Sequence, residues 1–475
     1  MKKVERVYDG SIRDVIKVAF PLVLASLSHA LNLFIDRVML THYSEVTMAA
    51  AFPAGLTSFS LSCFFLGLVG YTGSFVAQYV GAERYHRVGT AVWQGIYFAL
   101  IGGIFMAGAG LFAGELFRWF GHTPELQAQE IPYFKMLSFA GAIPLLLSAL
   151  ASFWGGRGKT MMIMFVDILI VCCNVPLNYL MIFGYRCQIV PGLVIEIPEM
   201  GIIGAGLGTV CATFIGLTVY GCGFFCKRSR QKYGTCGRFF DRQLFFRMFK
   251  YGTPTGIRLF FDLAAFNLFI IVIGKIDWVA LAASGIAFAT NSLAFTPMMG
   301  LGQAASVLTG QAVGARDIPR AERSVGNALK LLLIYAMAMI LFFVFCQNVI
   351  FAIFSLQAGV VMDTARYMLY FLAGYVLFDG MMILFSSAVC GAGDTAFTMA
   401  ASVFVACFLF AFPCAAAYWY FNSAAGVEQF GEKANVYCLW SMWSICLFSV
   451  ICNGMIFLFR YLGGKWKSMR VIEEN

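Results

Sequence analysis

The sequence predicts an all-α polytopic membrane protein with twelve transmembrane helices in two pseudo-symmetric six-helix lobes. Three observations predict it. Of 475 residues, 60% are hydrophobic and 12% charged, with a mean hydropathy of +0.80, whereas soluble chains carry about 25% charged residues. Apolar runs of roughly 20 residues, long enough to cross a hydrocarbon core, recur from end to end. The chain also repeats itself at half its length.

The spans, read by apolar length and loop punctuation, lie near 15–40, 49–75, 91–113, 133–155, 161–183 and 201–226 in the first half. Those of the second half lie near 244–274, 280–303, 325–350, 367–390, 396–420 and 436–462. The opening MKKVER looks like the basic start of a signal peptide, but the apolar run behind it is too long and lacks a small-residue cleavage site. It is read as a retained helix. The connection between spans six and seven is the richest in charge, with Lys227, Arg228, Arg230, Lys232, Arg238, Arg242, Arg247 and Lys250. The expected organisation is an N-lobe over 1–230, a basic linker over 231–250 and a C-lobe over 251–475.

Orientation follows from lysine and arginine counts. If both termini and the even-numbered connections share one side, that side holds most of the 33 basic residues. The other holds Arg118, Arg186, Lys275, Arg366 and Lys433. Both termini are therefore expected in the cytoplasm of a plasma membrane, read as a bacterial inner membrane. The net charge of +9 is then spent facing anionic lipid rather than nucleic acid. The 15 cysteines sit almost all inside apolar runs and show no zinc spacing, so they are read as free thiols that pack as small hydrophobes.

The repeat has an offset of 233 residues. Pro21 falls on Pro254, Gly67 on Gly300, Gln78 on Gln311, Gly81 on Gly314 and Arg87 on Arg320. Farther along the offset becomes 235: Gly156 meets Gly391, Gly158 meets Gly393 and Thr160 meets Thr395. A two-residue change in the loop near 114–132 accounts for the shift. This disposes of a nucleotide reading of Gly158-Lys159-Thr160. A phosphate loop needs an earlier glycine where Phe153 stands, and Lys159 aligns with Asp394. GGRGKT and CGAGDT are instead one turn in two copies. Six spans per copy give both halves the same orientation, an arrangement found in transporters.

An ionisable residue at mid-bilayer costs about 2.5–3.5 kcal/mol on insertion scales and usually marks a pathway or a partner. His29, Asn32 and Asp36 form one stripe of span one, in which His29 reads as a helix contact rather than a proton site. Asp167, Asn174 and Asn178 form a stripe of span five, where the amides can supply carbonyl oxygens to a hard cation or serve as interhelical glue. In span seven Arg258 and Asp262 stand four apart, either as an internal salt bridge or as a switch that a cation or proton opens. Tyr375 and Asp379 share a face of span ten. Under the repeat, Asp36 maps to Phe269, Asp262 to His29 and Asp379 to Pro144. The scaffold is duplicated and the acids are not. Enzyme signatures such as H-E-x-x-H, G-x-S-x-G and Cys-x-x-Cys are missing, so the chain is not read as an enzyme.

Two lobes of about 230 residues, PLVLASL opening span one, an Asp near its end, Q-x-V-G-A after spans two and eight, and G-x-G-x-T after spans four and ten resemble the multidrug and toxic compound extrusion (MATE) transporters of the MOP flippase superfamily. The resemblance covers nearly the whole chain. It implies antiport: export of organic, often cationic or amphipathic, compounds in exchange for Na+ or H+ by alternating access. It implies coupling in the N-lobe at Asp36, with Asn174, Asn178 and Thr209 around it. In the C-lobe it implies a site at Asp262, Asp379 and Tyr375. Three departures stand out: Asp262 replaces the commoner glutamate, with Arg258 one turn away, Arg37 follows Asp36, and GGRGKT replaces R-G-x-G-D-T. The expected partners are a small organic substrate and membrane lipid, without nucleotide or nucleic acid, to a monomeric protein. No cofactor is expected beyond the coupling ion, and no metal beyond Na+ at Asp36 or at Asp262 and Asp379. The rival readings are a flippase of a lipid-linked precursor and a membrane scaffold or receptor.

Overall fold

Among the described residues, twelve helices are long and apolar enough to cross a membrane. They are α1 (Ile12–Tyr43), α2 (Val46–Gly81), α3 (Tyr85–Leu111), α4 (Pro124–Gly155), α5 (Thr160–Phe183), α6 (Gly201–Phe225), α7 (Arg242–Ile276), α8 (Trp278–Gly314), α9 (Ile318–Phe345), α10 (Val360–Ala392), α11 (Thr395–Phe421) and α12 (Ala434–Leu462). The computed structural model describes residues 8–120, 123–190, 193–237, 240–354 and 359–473. MKKVER, His122 and Arg238 lie outside them, as does the side chain of Arg186. All twelve expected spans fall on helices. The connection between α5 and α6 adds an antiparallel hairpin, β1 (Tyr185–Val190) paired with β2 (Leu193–Ile197), which periodicity did not suggest. A short helix, Ala113–Phe120, occupies the loop where the repeat offset changes.

The internal repeat is visible in backbone angles. Helix α3 starts at Tyr85 and α9 at Ile318, 233 residues on; α5 starts at Thr160 and α11 at Thr395, 235 residues on. Among the described residues, two non-glycine residues have positive φ, Glu83 at 58° and Arg316 at 61°. They are repeat mates, each in the turn that follows a VGA segment. Such angles are uncommon for side-chain-bearing residues, so the turn itself is copied. Gly158 (φ 71°) and Gly393 (φ 123°) likewise occupy matching left-handed positions, which glycine adopts without a Cβ clash.

The chain divides into two compact units. One comprises Met1–Val23 and Ile257–Arg470, the other Leu24–Gly256 and Val471–Asn475. The division therefore runs through α1 after Val23 and through α7 after Gly256, positions that the 233-residue offset superposes. Each unit contains one seam of close backbone approach there. In the second unit, a Cβ on Gly67 would stand 2.6 Å from the Gly256 Cα. In the first, a Cβ on Gly300 would stand 2.7 Å from the Val23 backbone nitrogen. Glycine admits such helix contacts by having no side chain to separate the backbones.

The last segment of the chain returns to the second unit. The Val471 backbone nitrogen donates to Gln78 Oε1 at 2.9 Å. Glu473 accepts from the Tyr79 hydroxyl (2.8 Å), Arg87 Nε (3.2 Å) and an Arg247 guanidinium nitrogen (2.7 Å), and Arg87 also bridges to Asp241 at 2.9 Å. Burial alone would raise the Glu473 pKa. Hydrogen bonds from its own backbone and Tyr79, with the charges of Arg87 and Arg247, outweigh that and hold it below the usual range. A depressed carboxylate stabilises the fold above its unfolded pKa and loses that contribution as pH falls through the folded value. Glu473→Gln is therefore expected to loosen the segment at pH 7, at a cost on the order of 1 kcal/mol for charge-assisted bonds that are partly solvent-screened. Limited proteolysis of the C-terminal residues should then speed up at pH 7, and lowering the pH toward 4 should do the same to the wild type. Equal cleavage rates for variant and wild type at pH 7 would show that the carboxylate does not hold the segment.

Candidate functional site

Each unit holds a cluster of polar groups inside its helices. In the second unit it is built on α1, α5 and α6. Spacing places Asn174 and Asn178 on one face of α5, and helix packing turns that face toward α6 and the C-terminal part of α1. Asn178 Nδ2 donates to Asp36 Oδ1 at 2.6 Å and to Asn174 Oδ1 at 3.1 Å. Asn174 Nδ2 donates to Thr209 Oγ1 at 3.1 Å. The Thr209 hydroxyl lies 3.5 Å from Asp36 Oδ2 and 3.0 Å from the Ala205 carbonyl oxygen. Both asparagines are fully buried while Asp36 is half-buried, so the carboxylate is the open side of the cluster. Gly208 makes the close packing possible, since a Cβ there would collide with Asn178 Oδ1.

Two buried carbonyl oxygens here have no hydrogen-bond partner, Asn178 Oδ1 and Asn32 Oδ1. Asn32 stands one turn before Asp36 on α1. An orphaned buried acceptor is costly, and a cation would satisfy it. With Asp36, Asn174 and Thr209, the cluster offers an all-oxygen donor set that suits a hard monovalent cation or a proton. As drawn, the Asn178 amide donates to Asp36 in the place such a cation would take. Tyr133 of α4 is close enough for the Asp36 charge to act on its phenol; sequence spacing on α1 and α5 gave no sign of it. Asp167, on the same stripe of α5, makes no hydrogen bond to the Asp36 cluster among the described residues. His29 is largely accessible.

In the first unit the polar groups sit on α7 and α10. Arg258 Nε lies 3.5 Å from Asp262 Oδ2. A second guanidinium nitrogen donates to Ser386 Oγ at 3.2 Å and lies 3.7 Å from Met382 Sδ, while the guanidinium rests over the Phe457 ring at 5.5 Å. Arg258 is thus held on three sides, and Asp262 is paired. Asp379 (8% exposed) and Tyr375 (4% exposed) are buried one turn apart on α10. Neither makes a hydrogen bond to a described residue. The structure therefore presents one occupied acid, Asp262, and one without a cationic partner among the described residues, Asp379. Ser386 was missed by the sequence reading, although it stands seven residues after Asp379 on the same face of α10.

A family profile described as MatE matches residues 21–180 and 254–416, more than half of the chain. The two matched segments begin at Pro21 and Pro254, which are repeat mates. The multidrug resistance protein NorM of Vibrio cholerae is 26% identical over 393 residues, covering 82% of this chain and 83% of the relative. NorM of Photobacterium profundum is 25% identical over 392 residues, covering 82% and 83%. A solved structure described as the outward-facing conformation of a multidrug resistance MATE family transporter of the MOP superfamily superposes with a TM-score of 0.83 at 17% identity, covering 99% of this chain and 100% of that one. A MOP superfamily transporter from Pyrococcus furiosus, described as having a binding pocket of reverse polarity, gives 0.79 at 16% identity over 95% and 96%. At these identities the structural likeness speaks for the fold.

Proposed function

The chain belongs to the MatE family, and on that premise we infer that it is a multi-pass membrane antiporter rather than an enzyme. It exports organic, cationic or amphipathic compounds in exchange for Na+ or H+. The relatives named as multidrug resistance proteins support efflux. The observation that carries the coupling is the Asp36 cluster: a half-buried carboxylate backed by fully buried amides, with two orphaned carbonyl oxygens beside it. Binding a cation there neutralises the acid and lets the Asn178 amide turn its oxygen inward. The hydrogen bonds that tie α1 to α5 and α6 are then rearranged, which gives the cation a differential grip on two conformations, as any coupled shift requires.

Asp379 and Tyr375 supply a second acidic site, and Arg258 holds Asp262 in reserve. The acids attract cationic substrates, and the 49 Phe and 23 Met residues offer adaptable apolar surface for their bodies. The side bearing both termini faces the cytoplasm of a bacterial inner membrane, and the chain works as a monomer.

The test is dye efflux in drug-sensitive cells, with Na+ and H+ gradients imposed separately at matched expression. Efflux that follows one gradient names the coupling ion. Wild-type efflux that is absent, or indifferent to both gradients, overturns antiport.

A further inference from the structure

Asp167 lies two turns along α5 from Asn174, about 10 Å by helical rise, toward the end at Thr160. It is half-buried and makes no hydrogen bond to a described residue. Facing it on α6 is Tyr220, fully buried, whose hydroxyl also lacks a hydrogen-bond partner. Gly208 packs against Asn178 and Gly216 against Ile170, and this register of the two helices brings Tyr220 to the level of Asp167. One turn further along α6, Gly223 is covered by the Trp154 ring, whose Nε1 is a second buried polar atom without a partner.

Polar atoms without partners in an apolar interior are expensive, and two of them beside a half-buried carboxylate on the α5–α6 seam point to an occupant. The occupant must offer positive charge to a carboxylate while bonding a phenol and an indole N–H. A small hydrated monovalent cation does this: charge meets Asp167, and its water meets Tyr220 and Trp154. Between this place and the Asp36 cluster the seam is closed. Ile170 and Val166 press on Gly216, where a Cβ would stand 2.7 Å from Ile170 Cγ1. On the cluster side of that closure, the Thr213 hydroxyl donates to the Thr209 carbonyl (2.7 Å). Polar, apolar and polar zones thus alternate along one seam.

We propose that Asp167 and Tyr220 form a second cation station, which passes the coupling cation between the Asp36 cluster and the side of the membrane that bears the termini. The proposal rests on the antiport reading. It assigns Asp167 to transit and Asp36 to the exchange with substrate. The Ile170–Gly216 contact keeps the two stations from joining into a leak.

The test uses the full chain in proteoliposomes with ethidium as the substrate probe. Two quantities are read: equilibrium ethidium binding with its displacement by Na+ or by protons, and the initial efflux rate under each gradient. Asp167→Asn is expected to bind and release ethidium at equilibrium like the wild type but to transport about tenfold more slowly, the scale of one charged partner lost. Tyr220→Phe should show a smaller loss of the same kind, and Asp167→Glu should recover most of the rate. Asp36→Asn, by contrast, should lose cation-driven displacement. Wild-type rates in both Asp167→Asn and Tyr220→Phe overturn the station. So does an Asp167→Asn that loses displacement as Asp36→Asn does, for that places Asp167 in the exchange site. A wild type from which neither cation displaces ethidium overturns the antiport reading, and the station with it.

Discussion

Asp36→Asn is expected to reduce gradient-driven efflux to the level of cells lacking the protein. The variant keeps nearly the same shape and can still accept one hydrogen bond from Asn178. What it loses is the charge. A neutral amide cannot attract a cation into the cluster, so binding no longer distinguishes two conformations, and a ligand without differential affinity shifts no equilibrium. Asp36→Glu keeps the charge but pushes it one methylene into a cluster whose amides are fully buried; partial activity is expected. Thr209→Ala should cost less, since its hydroxyl contact to Asp36 is long (3.5 Å) and the charge stays; its loss comes mainly from stripping the buried Asn174 amide of its acceptor. Normal surface expression with lost efflux in Asp36→Asn is the diagnostic pair. Full efflux by Asp36→Asn at matched expression would remove this carboxylate from the coupling mechanism.

The stripes on α1 and α5 were legible in the sequence, because stripes on a helix are local; that they meet around Asp36 together with Thr209 was implied only by the family resemblance. Asn174 and Asn178 stand four apart and must share a face, and span lengths fixed the depth of Asp36. What was not legible depends on partners far apart in the chain. Tyr133 belongs to no stripe that singles it out, while Ser386 shares the Asp379 face at i+7 and was passed over. The hydrogen bond between Tyr79 and Glu473 joins residues 394 apart in the chain. Asp167 illustrates the limit of stripe arguments: i and i+7 share a face, but the rise between them is about 10 Å, too far for one binding site. The unit boundaries were illegible for another reason. Apolar pattern shows that α1 and α7 are buried in a membrane; it does not show which neighbour each half of a helix packs against. The two glycine seams decide that, through backbone approach that composition alone does not reveal.

Those seams yield the second large effect. Gly67→Val places a branched side chain where a Cβ alone would stand 2.6 Å from Gly256. Both sides of the contact are helix backbone, so no side chain can swing away, and α2 and α7 must separate. Overpacking of this kind costs typically 1–3 kcal/mol and more where backbone must move. Gly300→Val repeats the experiment in the other unit, against Val23. Both variants should lower the melting temperature of the detergent-solubilised protein, because the contacts are repeat mates that each bring a Cβ within 2.7 Å of helix backbone. Gly285→Val on α8 is the control, since a Cβ there meets nothing within 4 Å, and it should melt like the wild type. Were Gly67→Val and Gly300→Val to melt with it, the close approach would not be part of the folded state. If only one melted low, the duplication of sequence would have outlived the duplication of packing.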